Sequence, residues 1–249
     1  MKYKEDFVEQ VVLHYKQQLR SLRNFSLSTN AKGIQHRHLV SFATYAPWLD
    51  DQKFIGLYRL VEAHTLVDIY RCYELFSWVI RNSHIPGDIL EVGVWRGGTG
   101  CLMGAALQMV SPDATLYLMD TFSGVVKAGP DDTWYKGGEH QDTSPGVVKG
   151  LAGLLKLQNV QVLSGIYPDE VNPALLNGLR LCHIDVDTYQ SAKDVFCEVW
   201  PKVNRGGAVI FDDYGFWGCE GITRLCNELK PVDGVFFYNL NGHAIFVKS

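Results

Sequence analysis

Residues 88–98 read DILEVGVWRGG, and this stretch decides the fold. The apolar run over residues 88–95 predicts a buried strand. Gly93 lets the backbone turn sharply there, and Gly97 and Gly98 open a helical stretch. A strand that ends in glycines and leads into a helix is typical of open α/β sheets, which bind ligands beyond the carboxyl ends of their strands.

The rest of the chain repeats this alternation of strand and helix. Further strands are predicted at residues 115–122, 160–164, 179–187 and 208–213. Helices are predicted at residues 97–110, 145–157, from 168, 189–203 and 217–229. Two apolar runs at the end, 235–240 and 243–248, are joined by Asn241-Gly242, a strong hairpin signal. The pattern predicts an α/β fold, with a parallel sheet, right-handed crossovers and a terminal antiparallel hairpin.

The first 80 residues do not show this alternation of strands and helices. An amphipathic helix is predicted over residues 4–24, a loop with short turns over 25–50, and two helices over 54–80. We therefore expect a helical extension at residues 1–80, as part of the same domain or as a lid, before a main domain at 81–249. Exposed aromatic residues in the extension predict a contact between copies of the chain, and the sequence offers three: Tyr45, Trp48 and Tyr58.

Composition narrows the class of protein. The formal net charge is −4, with 27 acidic and 23 basic residues among 249, which argues against general binding to nucleic acid or to acidic membranes. The six cysteines form no CxxC pair, and their apolar surroundings predict buried, reduced thiols. The charged N-terminus predicts no signal peptide, and no apolar run approaches the roughly 20 residues of a membrane span. We expect a cytoplasmic protein.

The first strand and the turn after it form the predicted cofactor end. Gly93, Val94 and Trp95 lie in this turn, where a glycine allows close approach of a ligand. The helix that starts near Gly98 offers free N–H groups to a carboxylate. Glu91 is placed to meet an ammonium group, with a local cap or ion pair as the alternative.

Two further strand ends complete this region. Asp120, followed by Thr121 and Phe122, ends the second strand, where an acidic residue accepts hydrogen bonds from ribose hydroxyls. Ser164 and Gly165 end the third strand, and they are the predicted floor for an adenine. The glycine spacing is not GxGxxG, which turns the prediction away from NAD and towards S-adenosylmethionine.

The fourth and fifth strands end in acidic residues. Asp185 and Asp187 share a face in strand geometry, and Asp212 and Asp213 follow the next strand. Adjacent strands lie about 5 Å apart, so these carboxylates would repel one another. A hard cation removes that conflict, and oxygen ligands favour Mg²⁺, Mn²⁺ or Ca²⁺. The alternative is that they cap the helices that follow.

Four stretches together resemble the macrocin O-methyltransferase (TylF/MycF-like) family: VEAHTLVDIYRCYELFSWVI, GDILEVGVWRGG, MDTFSG and HIDVDTYQSAKDVFCEVWPKVNRGGAVIFDDYG. The resemblance covers roughly residues 60–230. It implies a Rossmann-like class I methyltransferase fold with a seven-stranded sheet, and O-methylation of natural-product sugars with S-adenosylmethionine and Mg²⁺. By position it implies Asp185, Asp212 and Asp213 as metal ligands, and Asp185 also as base and cofactor contact. The family usually has D-G-D where this chain has D-V-D, and the loop string WYKGGEHQDTS has no counterpart.

These observations lead to a hypothesis for the chemistry. A metal ion binds two neighbouring oxygens of a small-molecule acceptor and lowers the pKa of one hydroxyl. Asp185, or Asp187 as second choice, accepts the proton. The loop over residues 124–143 closes over the site, and its His140 is a further candidate base if it is not simply solvated. Tyr214 and Trp217 are predicted to line the acceptor pocket.

Two other functions remain open from the sequence. A metal-dependent hydrolase would use the same aspartates but leaves GVWRGG unexplained. A non-catalytic binding protein on the same scaffold would bind the cofactor without turnover. Titration with S-adenosylhomocysteine separates the hydrolase from the other two.

Overall fold

The computed structural model describes residues 10–11, 13–15, 17–18, 26–29, 35–37, 45–229 and 233–249. The chain divides into two compact units, Met1–Asp50 and Asp51–Ser249. The unit that contains the main sheet thus begins before the predicted boundary at residue 81. It includes two helices that the sequence assigns to the extension.

The first unit contains a small antiparallel sheet. Strand β1 (Ser26–Thr29) pairs with β2 (Gln35–Arg37), where the sequence predicts only loop and turns. Polar residues mask this hairpin in the sequence, because ladder hydrogen bonds come from the backbone and need no apolar side chain. The described residues between 10 and 18 are helical, and the rest of the predicted helix at 4–24 lies outside the described residues.

The second unit is built on a seven-stranded sheet. Its strands are β3 (Asp88–Val92), β4 (Leu116–Asp120), β5 (Val160–Ser164), β6 (Leu179–Ile184), β7 (Val203–Phe211), β8 (Gly234–Tyr238) and β9 (Ala244–Lys248). Their order is β5-β4-β3-β6-β7-β9-β8. The strands β3 to β7 are parallel, and β9 is antiparallel to both of its neighbours. The predicted sheet and its terminal hairpin are confirmed.

Helices flank the sheet. They are α1 (Gln52–Val61), α2 (Ile69–Arg81), α3 (Gly98–Val110), α4 (Pro145–Leu154), α5 (Tyr189–Val199) and α6 (Glu220–Glu228). Side chains cap the starts of three of them: Asp51, Asp68 and Ser144 accept hydrogen bonds from backbone amides. None of the described helices combines the length and apolarity that a bilayer crossing requires.

Five of the seven strands of this sheet stop two or three residues earlier than the sequence predicts, whereas β5 and β9 end as predicted. The backbone leaves the extended conformation at Gly93, with φ of +87°, and non-glycine residues do the same at other strand ends: Trp95, Phe122, Asp187 and Asp213 have φ between 45° and 63°. These left-handed residues turn the chain at the edge where ligands bind in such sheets. A helix predicted from residue 168 is replaced by turns and a short 3₁₀ segment, Pro173–Leu175, because a residue that precedes proline disfavours helical backbone.

The connectivity fixes where a ligand can bind. The chain proceeds from β3 outward to β4 and β5, and then returns to the other side of β3 for β6 and β7. The order therefore reverses between β3 and β6, and the loops after these strands diverge to leave a crevice. The strand β6 is buried along its whole length, so the groups that it presents at this crevice have a rigid support.

Candidate active site

A cavity of about 210 Å³ opens at the carboxyl ends of β3, β4, β6 and β7. It is lined at one end by the turn after β3 and by Asp120, and at the other end by four aspartates: Asp185, Asp187, Asp212 and Asp213. We refer to these as the cofactor end and the acidic group. Both predicted parts of the site therefore face the same cavity.

The turn at the cofactor end has room for glycine alone. A Cβ atom on Gly93 would lie 1.7 Å from the backbone oxygen of Asp185. The amides of Val94 and Trp95 both donate to Oδ2 of Asp120, at 2.7 and 2.8 Å, and the amide of Phe122 donates to Oδ1 at 2.7 Å. The carboxylate is thus held at the cavity wall by three backbone N–H groups.

The predicted cofactor residues divide into two sets. Those that line the cavity are Gly93, Val94, Trp95, Asp120, Thr121, Gly165 and Asp185. Four others, Glu91, Gly98, Phe122 and Ser164, do not line it. Glu91 lies fully buried beneath it, with Oε1 2.9 Å from Nδ1 of His183, and Gly98 packs closely on the backbone of His64. Their roles towards a cofactor stay predictions.

Burial and mutual repulsion act on the acidic group. Burial raises the pKa of Asp185 well above its usual value, and the charges of Asp212 and Asp213 add to this effect. Burial also raises the pKa of Asp213 to about 7, again with Asp212 as the largest charge effect. The pKa of Asp187 rises to about 6, mainly through burial, although a hydrogen bond from Tyr135 opposes the rise. These three carboxyls carry more negative charge than their surroundings offset.

Asp212 differs because a cation lies against it. Burial disfavours its charge, but Arg71 and, next, His243 and His183 outweigh burial and lower its pKa. Nη1 of Arg71 donates to Oδ1 of Asp212 and, at 3.1 Å, to Oδ1 of Asp213. Arg71 is itself buried in the wall of the cavity.

The second helix positions this arginine. Asp68 caps α2 by accepting hydrogen bonds from the amides of Tyr70 and Arg71, and its Oδ2 lies 3.1 Å from Nε of Arg71. Arg71 is a residue of the site that the sequence pattern does not predict. Its only signal is a charged residue on an otherwise apolar helix face, next to an N-cap aspartate.

The loop over residues 124–143 contributes Tyr135 and His140 to the cavity wall. The hydroxyl of Tyr135 lies 3.5 Å from Nε2 of His140 and also hydrogen-bonds to Asp187. Buried Asp132 ties the loop to the start of α5, because its Oδ1 accepts from the amide of Tyr189 at 2.9 Å. His140 is therefore linked through Tyr135 to the acidic group.

Two residues predicted for an acceptor pocket lie elsewhere. The Tyr214 hydroxyl donates to Asn227 at 2.9 Å, and neither Tyr214 nor Trp217 lines the cavity. Trp217 packs at 4.9 Å against Trp134, which precedes the cavity-lining Tyr135, and both indoles are more than half exposed. The pair forms an aromatic surface beside the loop.

Two groups of three potential metal ligands occur among the described residues, each with all its ligand atoms within 4.8 Å of one another. One consists of Asp187, Asp213 and Cys219, and the other of His183, Asp212 and His243. The predicted ligand Asp185 belongs to neither group, although it faces the same cavity as Asp212 and Asp213. The two histidines are a second feature that the sequence analysis missed.

Comparison with known proteins agrees with this geometry. The family model described as "Macrocin-O-methyltransferase (TylF)" matches residues 18–235. The demethyldecarbamoylnovobiocin O-methyltransferase of Streptomyces niveus is 32% identical over 166 residues, which are 61% of this chain and 63% of that protein. The 8-demethyl-8-(2,3-dimethoxy-α-L-rhamnosyl)-tetracenomycin-C 4′-O-methyltransferase of Streptomyces olivaceus is 31% identical over 204 residues, 74% of this chain and 78% of that protein.

Among solved structures, the O-methyltransferase NovP superposes with a TM-score of 0.64 at 25% identity, and the match covers 75% of this chain and 82% of NovP. The predicted class I methyltransferase fold and the predicted family are thus confirmed. The chain belongs to the macrocin O-methyltransferase family and is an S-adenosylmethionine-dependent O-methyltransferase.

Proposed function

We propose that this enzyme methylates a sugar hydroxyl of a natural product, with help from a divalent cation. One observation carries the proposal: the cofactor end and the acidic group line the same cavity of about 210 Å³. A methyl donor and a cation-bound hydroxyl can therefore meet inside one cavity. The relative from Streptomyces olivaceus acts, by its name, on a rhamnosyl derivative, which supports a sugar as the acceptor.

The cofactor end fits S-adenosylmethionine. Gly93 allows close backbone approach, since a side chain there would collide with Asp185. Asp120 offers carboxylate oxygens at the strand end, where a ribose is bound in such sheets, and Gly165 lines the cavity on the far side. When bound, S-adenosylmethionine supplies an electrophilic methyl group.

The acidic group fits a hard divalent cation. Four carboxylates line the cavity. Arg71 is the one guanidinium that contacts any of them among the described residues, and it contacts Asp212 and Asp213. Three of the four carboxyls have raised pKa values. Oxygen donors in this number suit Mg²⁺ or Mn²⁺ better than a softer metal. We assign Asp185, Asp212 and Asp213 to hold the ion, whose charge would lower the pKa of an acceptor hydroxyl.

The proton then passes to a carboxylate of the chain. Asp185 and Asp187 both face the cavity, and Asp187 has the more suitable surroundings for a base, because its pKa lies near 6 and Tyr135 holds its carboxylate. A base whose pKa lies close to the working pH is efficient. His140 reaches Asp187 through Tyr135 and is the candidate to pass the proton towards solvent.

Two experiments test this proposal. Calorimetric titration with S-adenosylhomocysteine should show one site per chain, and a mass-spectrometric screen of glycosylated acceptors should show a gain of one methyl group. Activity should vanish on chelation and return with Mg²⁺. Absence of cofactor binding would favour a metal-dependent hydrolase. Cofactor binding without turnover of any acceptor would favour a non-catalytic binding protein.

A further inference from the structure

Behind the wall of the cavity, two histidines that the proposed reaction does not use lie beside Asp212. His183 comes from the end of β6, Asp212 directly follows β7, and His243 directly precedes β9. These three strands are neighbours in the sheet. Both histidines are fully buried, and Asp212 is 2% exposed.

Each imidazole is oriented by a glutamate. Nδ1 of His183 lies 2.9 Å from Oε1 of Glu91, and Nδ1 of His243 lies 2.6 Å from Oε2 of Glu74. Glu74 is itself fixed by Asn239, whose Nδ2 donates to both of its oxygens at 2.7 Å. These contacts turn both Nε2 atoms towards Asp212.

The three inward-facing atoms have no hydrogen-bond partner. Nε2 of His183, Nε2 of His243 and Oδ2 of Asp212 are all buried and unpartnered. The nitrogens lie 3.9 and 3.6 Å from the nearest Asp212 oxygens, too far for a hydrogen bond. Buried polar atoms without a partner destabilise the fold, so the convergence of these three atoms indicates a ligand.

We propose that His183, Asp212 and His243 bind a divalent transition-metal ion, with Zn²⁺ the best match. Ligands about 2.0–2.1 Å from a tetrahedral ion lie about 3.3 Å apart, close to the separations seen here. Two imidazoles and one carboxylate suit zinc, whereas oxygen-only sets suit Mg²⁺. An imidazole held by a carboxylate through its other nitrogen is the usual arrangement around metal-bound histidine.

Charge points the same way. Glu74, Glu91 and Asp212 place three carboxylates around the cluster, and Arg71 is in contact with Asp212. Metal binding requires both imidazoles to be neutral, and a divalent ion would then offset the negative charge that Arg71 leaves. It would also fasten the ends of β6, β7 and β9 together and so fix Asp212 in the cavity wall. This site shares Asp212 with the Mg²⁺ site proposed above but uses neither Asp185 nor Asp213, and zinc binding to it does not depend on methyl transfer.

Zinc binding to the whole chain tests the proposal. After chelation and dialysis, the protein should bind one Zn²⁺ that Mg²⁺ does not displace, and X-ray absorption should show two imidazole ligands. At zinc 100-fold above its Kd, the unfolding midpoint should rise by about 5–10 °C. Glu74→Gln should weaken zinc binding by about 10–100-fold.

Matched variants locate the site. His183→Gln and His243→Gln should each remove the imidazole-bound zinc, whereas His84→Gln, at an exposed histidine, should leave it unchanged. Asp213→Asn should also retain it, because Asp213 is assigned to the Mg²⁺ site and not to the zinc cluster. Failure of the wild-type chain to bind zinc with two imidazoles overturns the proposal and identifies the cluster as a hydrated or ion-paired network. That measurement decides even if the histidine variants fail to fold.

Discussion

At Gly93 the cofactor end of the cavity packs against the backbone of the acidic group. Its φ of +87° and its approach to the carbonyl of Asp185 exclude every larger residue. In contrast, Asp120 acts through its side chain, which three amides hold at the strand end. Lack of space requires glycine at position 93, whereas hydrogen bonds hold Asp120 in place. Substitutions at the two positions should therefore impair the site for different reasons.

We expect Gly93→Ala to destroy cofactor binding. The added Cβ would lie 1.7 Å from the Asp185 oxygen, and alanine at positive φ costs about 1 kcal/mol or more. Calorimetry with S-adenosylhomocysteine should show at least a tenfold loss of affinity, about 1.4 kcal/mol. Gly150→Ala is the matched control, because a Cβ there meets no atom within 4 Å. Unchanged affinity in Gly93→Ala would contradict the placement of the cofactor.

Asp187→Asn should lower kcat and leave cofactor affinity unchanged. The substitution keeps the shape of the side chain but removes the proposed base, and general-base catalysis is worth about 10²–10⁴-fold. Single-turnover kinetics with a saturating acceptor measure the loss. Asp185→Asn, made in parallel, should also weaken Mg²⁺ binding. A kcat within threefold of wild type in Asp187→Asn would assign the base to Asp185 or His140.

Arg71 is a residue that acts on stability as well as on the site. Arg71→Met would leave Asp212 buried without its guanidinium, and breaking a buried ion pair costs about 3–5 kcal/mol. The unfolding midpoint should therefore fall, and Mg²⁺ should raise it more in the variant than in the wild type. The unfolding midpoint of Arg71→Lys, which keeps the charge, should fall less than that of Arg71→Met. A variant as stable as wild type would show that Arg71 does not neutralise Asp212.

At the scale of elements, the sequence predicts the sheet well and its edges poorly. Alternating apolar and helical stretches predicted all seven strands of the sheet. Several predicted strand ends lie too far along the chain. Apolar residues such as Trp95 and Phe122 continue the strand pattern, although their backbone has already turned to positive φ. Apolar periodicity reports burial, and burial continues past the last ladder hydrogen bond.

Local sequence patterns also predict only part of the candidate site. Its aspartates follow directly after strands, so strand prediction locates them. Arg71 and His243 contact partners 141 and 169 residues away in sequence, Asp212 and Glu74. No local pattern encodes such a contact, and a helix of the predicted extension gives no sign that it reaches the acidic group.

Trp134 in the loop over residues 124–143 and Trp217 form an exposed aromatic surface beside the cavity-lining Tyr135, and we expect it to contact the part of the acceptor that extends out of the cavity. Trp134 and Trp217 pack together and remain more than half exposed, and their flat apolar faces suit the C–H face of a sugar. Trp134→Ala should raise the KM for a glycosylated acceptor about tenfold and change kcat little, whereas Trp134→Phe should behave nearly like wild type. Equal losses for both variants would indicate a structural role instead.

Across the whole molecule, the six cysteines are free and only Cys197 is exposed. Burial raises the pKa of Cys101 to about 12, and it raises the pKa of Cys72, Cys182, Cys219 and Cys226 further. A buried thiol that stays protonated reacts slowly. One cysteine per folded chain should therefore react rapidly with a thiol reagent at neutral pH, and Cys197→Ser should abolish that phase. Several fast-reacting thiols would contradict the packing.

The contact between the Gly93 turn and the Asp185 carbonyl also bears on the sequence of binding events. A ligand that settles on the turn restricts the backbone that presents Asp185, so part of the ordering needed at the acidic group is already complete when the second substrate arrives. Affinities at the two ends should then rise together, as thermodynamic linkage requires. A bound methyl donor should therefore strengthen binding at the acidic group, and a ligand bound there should strengthen binding of the methyl donor by the same factor.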